Sequence, residues 1–200
     1  MIALSAKIRD GILSSSLVDR IFQHESVDST VAEAKRLIDE DETLARRALI
    51  LADSCRAAPS RGLYFSLIIP KEIDESFMDI SLLAIAETME NFFRRETKMD
   101  RSGHVQIAGK AVAHIDLTRY RDLSILSFSI DGKKIAPESH ESTIFPKWGG
   151  RLLNNIMYQL TSYYISYTSG GFIPLKRRFE KRLRAENGEA LVRAKKGNAS

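Results

Sequence analysis

Asp53-Ser-Cys-Arg-Ala-Ala-Pro-Ser-Arg-Gly-Leu-Tyr-Phe-Ser-Leu-Ile-Ile-Pro70 divides at Gly62 into two halves of opposite character. The second half, Gly62 to Ile69, is dense in aromatic and branched residues and is closed by Pro70, which predicts a strand. Alternation along it sets Leu63, Phe65 and Leu67 on one face and Tyr64 and Ser66 on the other, so an aromatic edge lies beside a hydroxyl. Just upstream, Ala48-Leu49-Ile50-Leu51-Ala52 is an apolar run of the length of a buried strand. The residues between, Ser54 to Arg61, form a short connection containing Cys55, Arg56, Pro59 and Arg61.

Working outward, Val31, Ala34, Leu37 and Ile38 recur at helical spacing. Thr30 followed by Glu33 reads as a capping box, so a helix is expected from about Val31. Ahead of it, a short helix or turn leads into a strand at Arg20–His24, and the charged segment Asp39–Arg47 closes the helix. A long amphipathic helix is expected from Glu75 to about Arg95, on Phe77, Met78, Leu82, Ile85, Ala86, Met89, Phe92 and Phe93. Arg94 to Gly103 reads as a loop. Strands follow at Val105–Ile107, Ala111–Leu117 and Leu123–Ile130, then a turn at Asp131-Gly132. In the third of these, Leu126, Phe128 and Ile130 face one way and Ile125, Ser127 and Ser129 the other.

After a Pro- and Ser-containing loop, Leu152 to Tyr164 forms a helix stopped by Gly170-Gly171. A last helix opens at Ile173 and carries Lys176, Arg177, Arg178, Lys181, Arg182 and Arg184. Strands arriving as hairpins with helices in separate blocks indicate an α+β domain with a mixed, mostly antiparallel sheet. One domain over residues 1–187 accounts for the chain, and residues 188–200 read as a polar, frayed tail.

The formal charge of +4 comes largely from the C-terminal basic run and does not by itself imply nucleic-acid binding. A single cysteine excludes an intrachain disulfide or multi-Cys zinc site and fits a reducing cytoplasm. His24, His104, His114 and His140 show no metal-ligand spacing, so no metal site is expected. No stretch is long and apolar enough for a membrane span.

Together, Asp28-Ser29-Thr30, Tyr64 with Ser66, and Ile107-Ala108-Gly109 resemble, in order and spacing, the catalytic domain of biotin protein ligases, whose class II synthetase-like fold is shared with lipoate ligases. The likeness runs over roughly residues 15–185, through Gly171-Phe172-Ile173-Pro174-Leu175 and Phe179. It implies that Ser29, Thr30, Tyr64, Ser66 and Gly109 form a biotin site. It also implies use of ATP-Mg to make biotinyl adenylate and transfer of biotin to a lysine of an acidic carrier domain, with a homodimer possible.

Four departures bear on adenylation. The family's Gly-Arg-Gly-Arg-x-Gly-Arg loop is reduced to Ser54–Arg61, leaving Arg56 and Arg61 for the phosphate. Its Lys-Trp-Pro-Asn-Asp segment survives only as Lys98 and Asp100, the remaining catalytic candidates, while Lys147-Trp148 falls in the wrong place. Gln106 stands where a lysine is expected before the Ala-Gly turn, and Ser127-Phe128-Ser129-Ile130-Asp131 replaces Gly-x-Gly-Ile-Asn. Three readings follow: a minimal biotin protein ligase, a catalytically weak or inactive binding module of that fold, or a lipoyl or octanoyl transferase with Cys55 as nucleophile. The winged-helix domain of bifunctional ligases has no counterpart in the sequence, so DNA binding is not expected.

Overall fold

The computed structural model describes residues 2, 4–56, 62–70, 75–135 and 141–197. Its elements are α1 (Ala6–Leu13), β1 (Arg20–His24), α2 (Thr30–Glu40), α3 (Glu42–Ala45), β2 (Ala48–Ala52), β3 (Gly62–Pro70) and α4 (Glu75–Phe93). They continue as β4 (Thr97–Met99), β5 (His104–Ile107), β6 (Lys110–Tyr120), β7 (Leu123–Asp131), α5 (Gly132–Ile135), α6 (Glu141–Thr168) and α7 (Phe172–Gly197).

One seven-stranded sheet has the order β1-β2-β3-β7-β6-β5-β4. Among the described strands only the β1–β2 pair is parallel, because α2 and α3 lie between those strands and return the chain to the same edge. Every other pair is antiparallel. The α+β class and the mixed, mostly antiparallel sheet are as the hairpin pattern indicates.

The two faces of the sheet are covered unequally. Leu49 and Leu51, Leu63, Phe65 and Leu67, and Leu126, Phe128 and Ile130 pack with α4 and α6 into the main core. Phe65 and Phe128, paired in register, stack at 4.3 Å between centroids. On the other face, Ile50, Ile68, Leu123 and Ile125 pack against Ala34, Leu37 and Ile38 of α2. That helix covers only part of its face, and what lies beyond its N-terminus holds the predicted site.

Several boundaries differ from the sequence reading. Thr97–Met99 is a strand, not loop, because alternation buries Thr97 and Met99 while pairing them with Ile107 and Val105. Asp131-Gly132 opens α5 instead of a turn, since the Asp131 carboxylate accepts from the Lys133 and Lys134 amides. Helix α6 begins at Glu141, ahead of Trp148, whose ring packs on Phe93 and Phe92 of α4. Helix α7 continues to Gly197, past the expected fraying at Asn187, through a segment rich in Ala, Glu, Lys, Arg and Leu.

Candidate functional site

The sheet register carries the predicted residues of four strands onto one surface. Tyr64 is paired with Ser129, Ser129 with His114, and His114 with His104, giving a row that crosses β3, β7, β6 and β5. A second row joins Ser66, Ser127 and Asp116. Lys98 is paired with Gln106 on the last two strands. Ser127, Ser129, His114, Gln106 and Lys98 are half-buried and Asp116 is exposed, whereas their sequence neighbours Phe128, Ile115, Val105 and Met99 are in the core.

At one end of this surface stands the N-terminus of α2. Ser29, not Thr30, is the N-cap: its hydroxyl accepts from the Ala32 amide at 2.9 Å, and the Glu33 side chain turns to Arg36 instead of completing a capping box. Thr30, freed from capping, points at the sheet and receives a 2.8 Å hydrogen bond from the Ser66 hydroxyl. Both residues are buried, Ser66 fully. Replacing Thr30 by Val is therefore expected to leave the Ser66 hydroxyl unsatisfied and to destabilise the fold by about 1–3 kcal/mol. The double variant T30V/S66A should recover most of that loss in a denaturant melt, and additive losses would refute the pairing.

Beside this pair, Ala52, Cys55 and Tyr64 form a small buried group with Val27 packed on it. Burial pushes the Cys55 thiol up, opposed by the backbone N–H of Thr30. Burial disfavours the thiolate that nucleophilic attack by Cys55 would need. Tyr64 lies back over its own strand: a methyl at Gly62 would meet its Cζ and hydroxyl at 2.9 Å.

The parallel pairing of β1 and β2 extends past the strand ends as a Val27–Cys55 bridge, with Val27 N donating to Ser54 O and Arg56 N to Val27 O. This brings the Ser26–Ser29 and Ser54–Arg56 segments side by side and opens a cleft of about 480 Å³. His24, Asp28, Ser29, Glu33, Arg36 and Arg56 contribute its polar wall. Arg56 reaches Asp28 at 3.1 Å across solvent, and Arg36 binds Glu33, holding that carboxyl below its usual range. His24 and Arg36 carry no motif in the sequence, and Glu33 enters it only as the expected capping-box partner of Thr30. Arg61 lies outside the described residues, as does His140.

At the opposite end of the surface, Asp100 organises the turn between β4 and β5. Its carboxylate accepts from the Ser102 and His104 amides at 2.9 and 3.1 Å and from Gln106 Nε2 at 3.4 Å, and faces His104 Nδ1 at 3.3 Å. The candidate carboxylate is thus tied into its own hairpin, while Lys98 stays on the shared face. Gly109 and Ala108 are the two loop residues between the paired Ile107 and Lys110, with φ of +76° and +50°. Nothing lies within 4 Å of a methyl built at Gly109, so backbone conformation alone requires the glycine there.

No family model matches the sequence, and no curated sequence is significantly similar to it. Solved structures are informative instead. The biotin protein ligase of Aquifex aeolicus in complex with biotin and ATP aligns with a TM-score of 0.65 at 17% identity, over 82% of this chain and 78% of that one. The Leishmania major enzyme in complex with biotinyl-5-AMP aligns with a TM-score of 0.58 at 14% identity, over 82% and 81%. This chain has the biotin protein ligase fold.

Within that fold, Ser29, Thr30, Tyr64 and Ser66 come together at the end of α2, and Arg56 lines the neighbouring cleft. Lys98 and Gln106 sit on the far strands of the same sheet face, and Gly109 at the adjoining turn. The basic run of α7 divides in two. Arg178 pairs with Glu87 at 2.6 Å, and Arg182 with Glu90 at 2.8 Å and Thr97 O at 2.7 Å, so these two guanidinium groups clamp α7 to α4 and β4. Glu87 also accepts from the Tyr163 hydroxyl, which burial and that carboxylate push up to about 12. Among the described residues, no helix is long and apolar enough to cross a membrane.

Proposed function

We propose that this chain acts as a ligase-type protein on a biotin-like carboxylic acid, which it activates with ATP for transfer to a lysine of a carrier domain. One observation supports this reading above the rest: on a biotin protein ligase fold, Tyr64, the Thr30–Ser66 pair, Gln106 and Lys98 share the sheet face ahead of α2. In the first step a carboxylate oxygen attacks the α-phosphorus of ATP and pyrophosphate leaves. In the second, a lysine amine attacks the acyl carbon and AMP leaves.

The residues here serve binding better than rate. The Thr30 and Ser66 hydroxyls offer polar contacts at the buried end, Arg56 supplies positive charge in the cleft beside them, and Lys98 supplies it at the far edge of the sheet face. Asp100 is engaged in its turn, and among the described residues no group of three or more His, Cys, Asp or Glu could hold a metal ion, so no step is assigned to a metal. Loss of even one well-placed donor typically lowers such rates ~100-fold or more. Transfer is expected to be slow relative to a ligase with the full Gly/Arg loop. The exposed Lys176, Arg177, Lys181 and Arg184 of α7 would face an acidic carrier.

Incubation with biotin, ATP-Mg and a biotin carrier domain should give slow biotinylation above a no-enzyme blank, measured by mass spectrometry beside an active ligase. Absence of any product sinks the enzymatic reading. A second reading, a binding module without catalysis, is favoured by Ser127 and Ser129, whose side chains stand on the ligand face. It would be identified by biotin or carrier binding without ATP binding in calorimetry.

A further inference from the structure

The β5–β6 hairpin changes register partway along its length. Next to the turn, Ile107 is paired with Lys110 and Gln106 with Ala111, but Val105 is paired with Ala113 and His104 with His114, which leaves Val112 as a bulge. Without the bulge His104 would face Ala113 and His114 would fall on the core side, because a one-residue slip exchanges the faces of a strand. With it, Val112 and Ala113 are both buried and His114 emerges beside His104. The two imidazoles, separated in the chain by the whole hairpin, have ring centroids 4.6 Å apart.

That separation fits one shared metal ion. An ion ~2.1 Å from one nitrogen of an imidazole lies ~3.2 Å from the ring centre. Two rings bound at a right angle then have centres ~4.5 Å apart, close to the distance found. The backbone around the pair is pinned, with Ile115 N donating to Gly103 O at 2.8 Å and Asp100 N to His104 O at 3.1 Å. His104 Nδ1 faces Asp100 Oδ1 at 3.3 Å, and that carboxylate is itself held by the Ser102 amide and by Gln106 Nε2. A ring nitrogen committed to a carboxylate leaves Nε2 to bind, the arrangement that orients histidines on metals. The His104 side chain is 38% exposed and His114 is half-buried, so an ion can reach both.

We propose that His104 and His114 bind a divalent transition cation of the nickel or copper kind, with Asp100 as the positioning carboxylate behind His104. Imidazole nitrogen selects such ions, whereas magnesium takes oxygen ligands. Two protein ligands are few for zinc, whose sites carry three or four. Among the described residues no third His, Cys, Asp or Glu completes the set, so the remaining positions are filled by water or by a donor atom of a molecule on the sheet face. The site is independent of the acid-activating reading, which assigns no step to a metal.

Calorimetric titration of the untagged full chain with nickel chloride tests this, with magnesium chloride as the control. Nickel should bind at one site and magnesium should not. His104→Gln and His114→Gln should each remove that binding, while Asp100→Asn should weaken it by about tenfold or more. A second measurement needs no variant to fold: in the wild type, nickel should protect His104 and His114, but not His24, from modification by diethyl pyrocarbonate, read by mass spectrometry. Absence of nickel binding, equal binding of magnesium, unchanged binding in both histidine variants, or protection of His24 instead of the pair overturns the inference. Unchanged binding in Asp100→Asn overturns the role given to Asp100.

Discussion

Phe65→Ala is expected to lower the stability of the folded chain by about 3–5 kcal/mol, the range for emptying a buried aromatic site. Phe65 is fully buried at the centre of β3, between β2 and β7, and its ring lies nearly parallel to that of Phe128, 4.3 Å away. The substitution removes both the buried area and the stacked pair. The β3–β7 backbone ladder around it limits collapse of the cavity. Urea denaturation followed by circular dichroism gives the difference directly, and a loss below about 1 kcal/mol would show that the core is not packed as described. Tyr64 and Ser66, the neighbours of Phe65, project from the opposite face of the same strand, so the proposed site should be disturbed as well.

Gly62→Ala is expected to be nearly as severe for a different reason. A methyl at Gly62 would lie 2.4 Å from the Ile130 carbonyl oxygen and 2.9 Å from the Tyr64 ring. A side chain can move aside, but a paired backbone carbonyl cannot without parting β3 from β7, so a loss of about 2–3 kcal/mol is expected, within the range for overpacking. The Tyr64 ring should be displaced as well, which near-ultraviolet circular dichroism would register. Gly109→Ala is the comparison: space is open there, and only the positive φ opposes the methyl, at about 1–2 kcal/mol. Equal losses at the two sites would mean that the crowding at Gly62 is absent.

Both substitutions probe how a ligand surface is made from a sheet that is chiefly core. The apolar stripe of α2, Ala34, Leu37 and Ile38, meets Ile50, Ile68, Leu123 and Ile125, and the helix is too short to extend that contact to Ser127, Ser129 and His114. Beyond that patch the sequence changes from branched residues to Ser127, Ser129, His114 and Asp116. The absence of the Gly/Arg-rich loop, the feature that first sets this chain apart from active ligases, therefore coincides with a second change, a polar floor.

The helix α7 shows the limit of reading charge from sequence. Six basic residues within Lys176–Arg184 look equivalent as a string, but a helix separates them by face. Arg178 and Arg182, one turn apart, meet the acidic Glu87 and Glu90 of α4, while Lys176, Arg177 and Lys181 face outward. Ion pairing to partly buried carboxylates makes the first group structural and leaves only the second for any partner.

Local and periodic features are legible in the sequence alone. The strands at Ala48–Ala52 and Gly62–Pro70, the faces of β7, the N-terminus of α2 and the class of the fold follow from alternation, helical spacing and capping chemistry, which act between near neighbours. Strand β4 is not legible in the sequence because a three-residue strand has too little period of its own, and pairing with β5 defines it. Packing and register set which hydroxyl caps and which meets Ser66, tie Asp100 into its own turn, and align Tyr64, Ser129, His114 and His104 in one row. Those outcomes depend on strand register and on contacts between distant segments, which no local pattern encodes. Asp53–Pro70 therefore reveals the fold, while the register of β3 against β7 shows what kind of surface the fold presents.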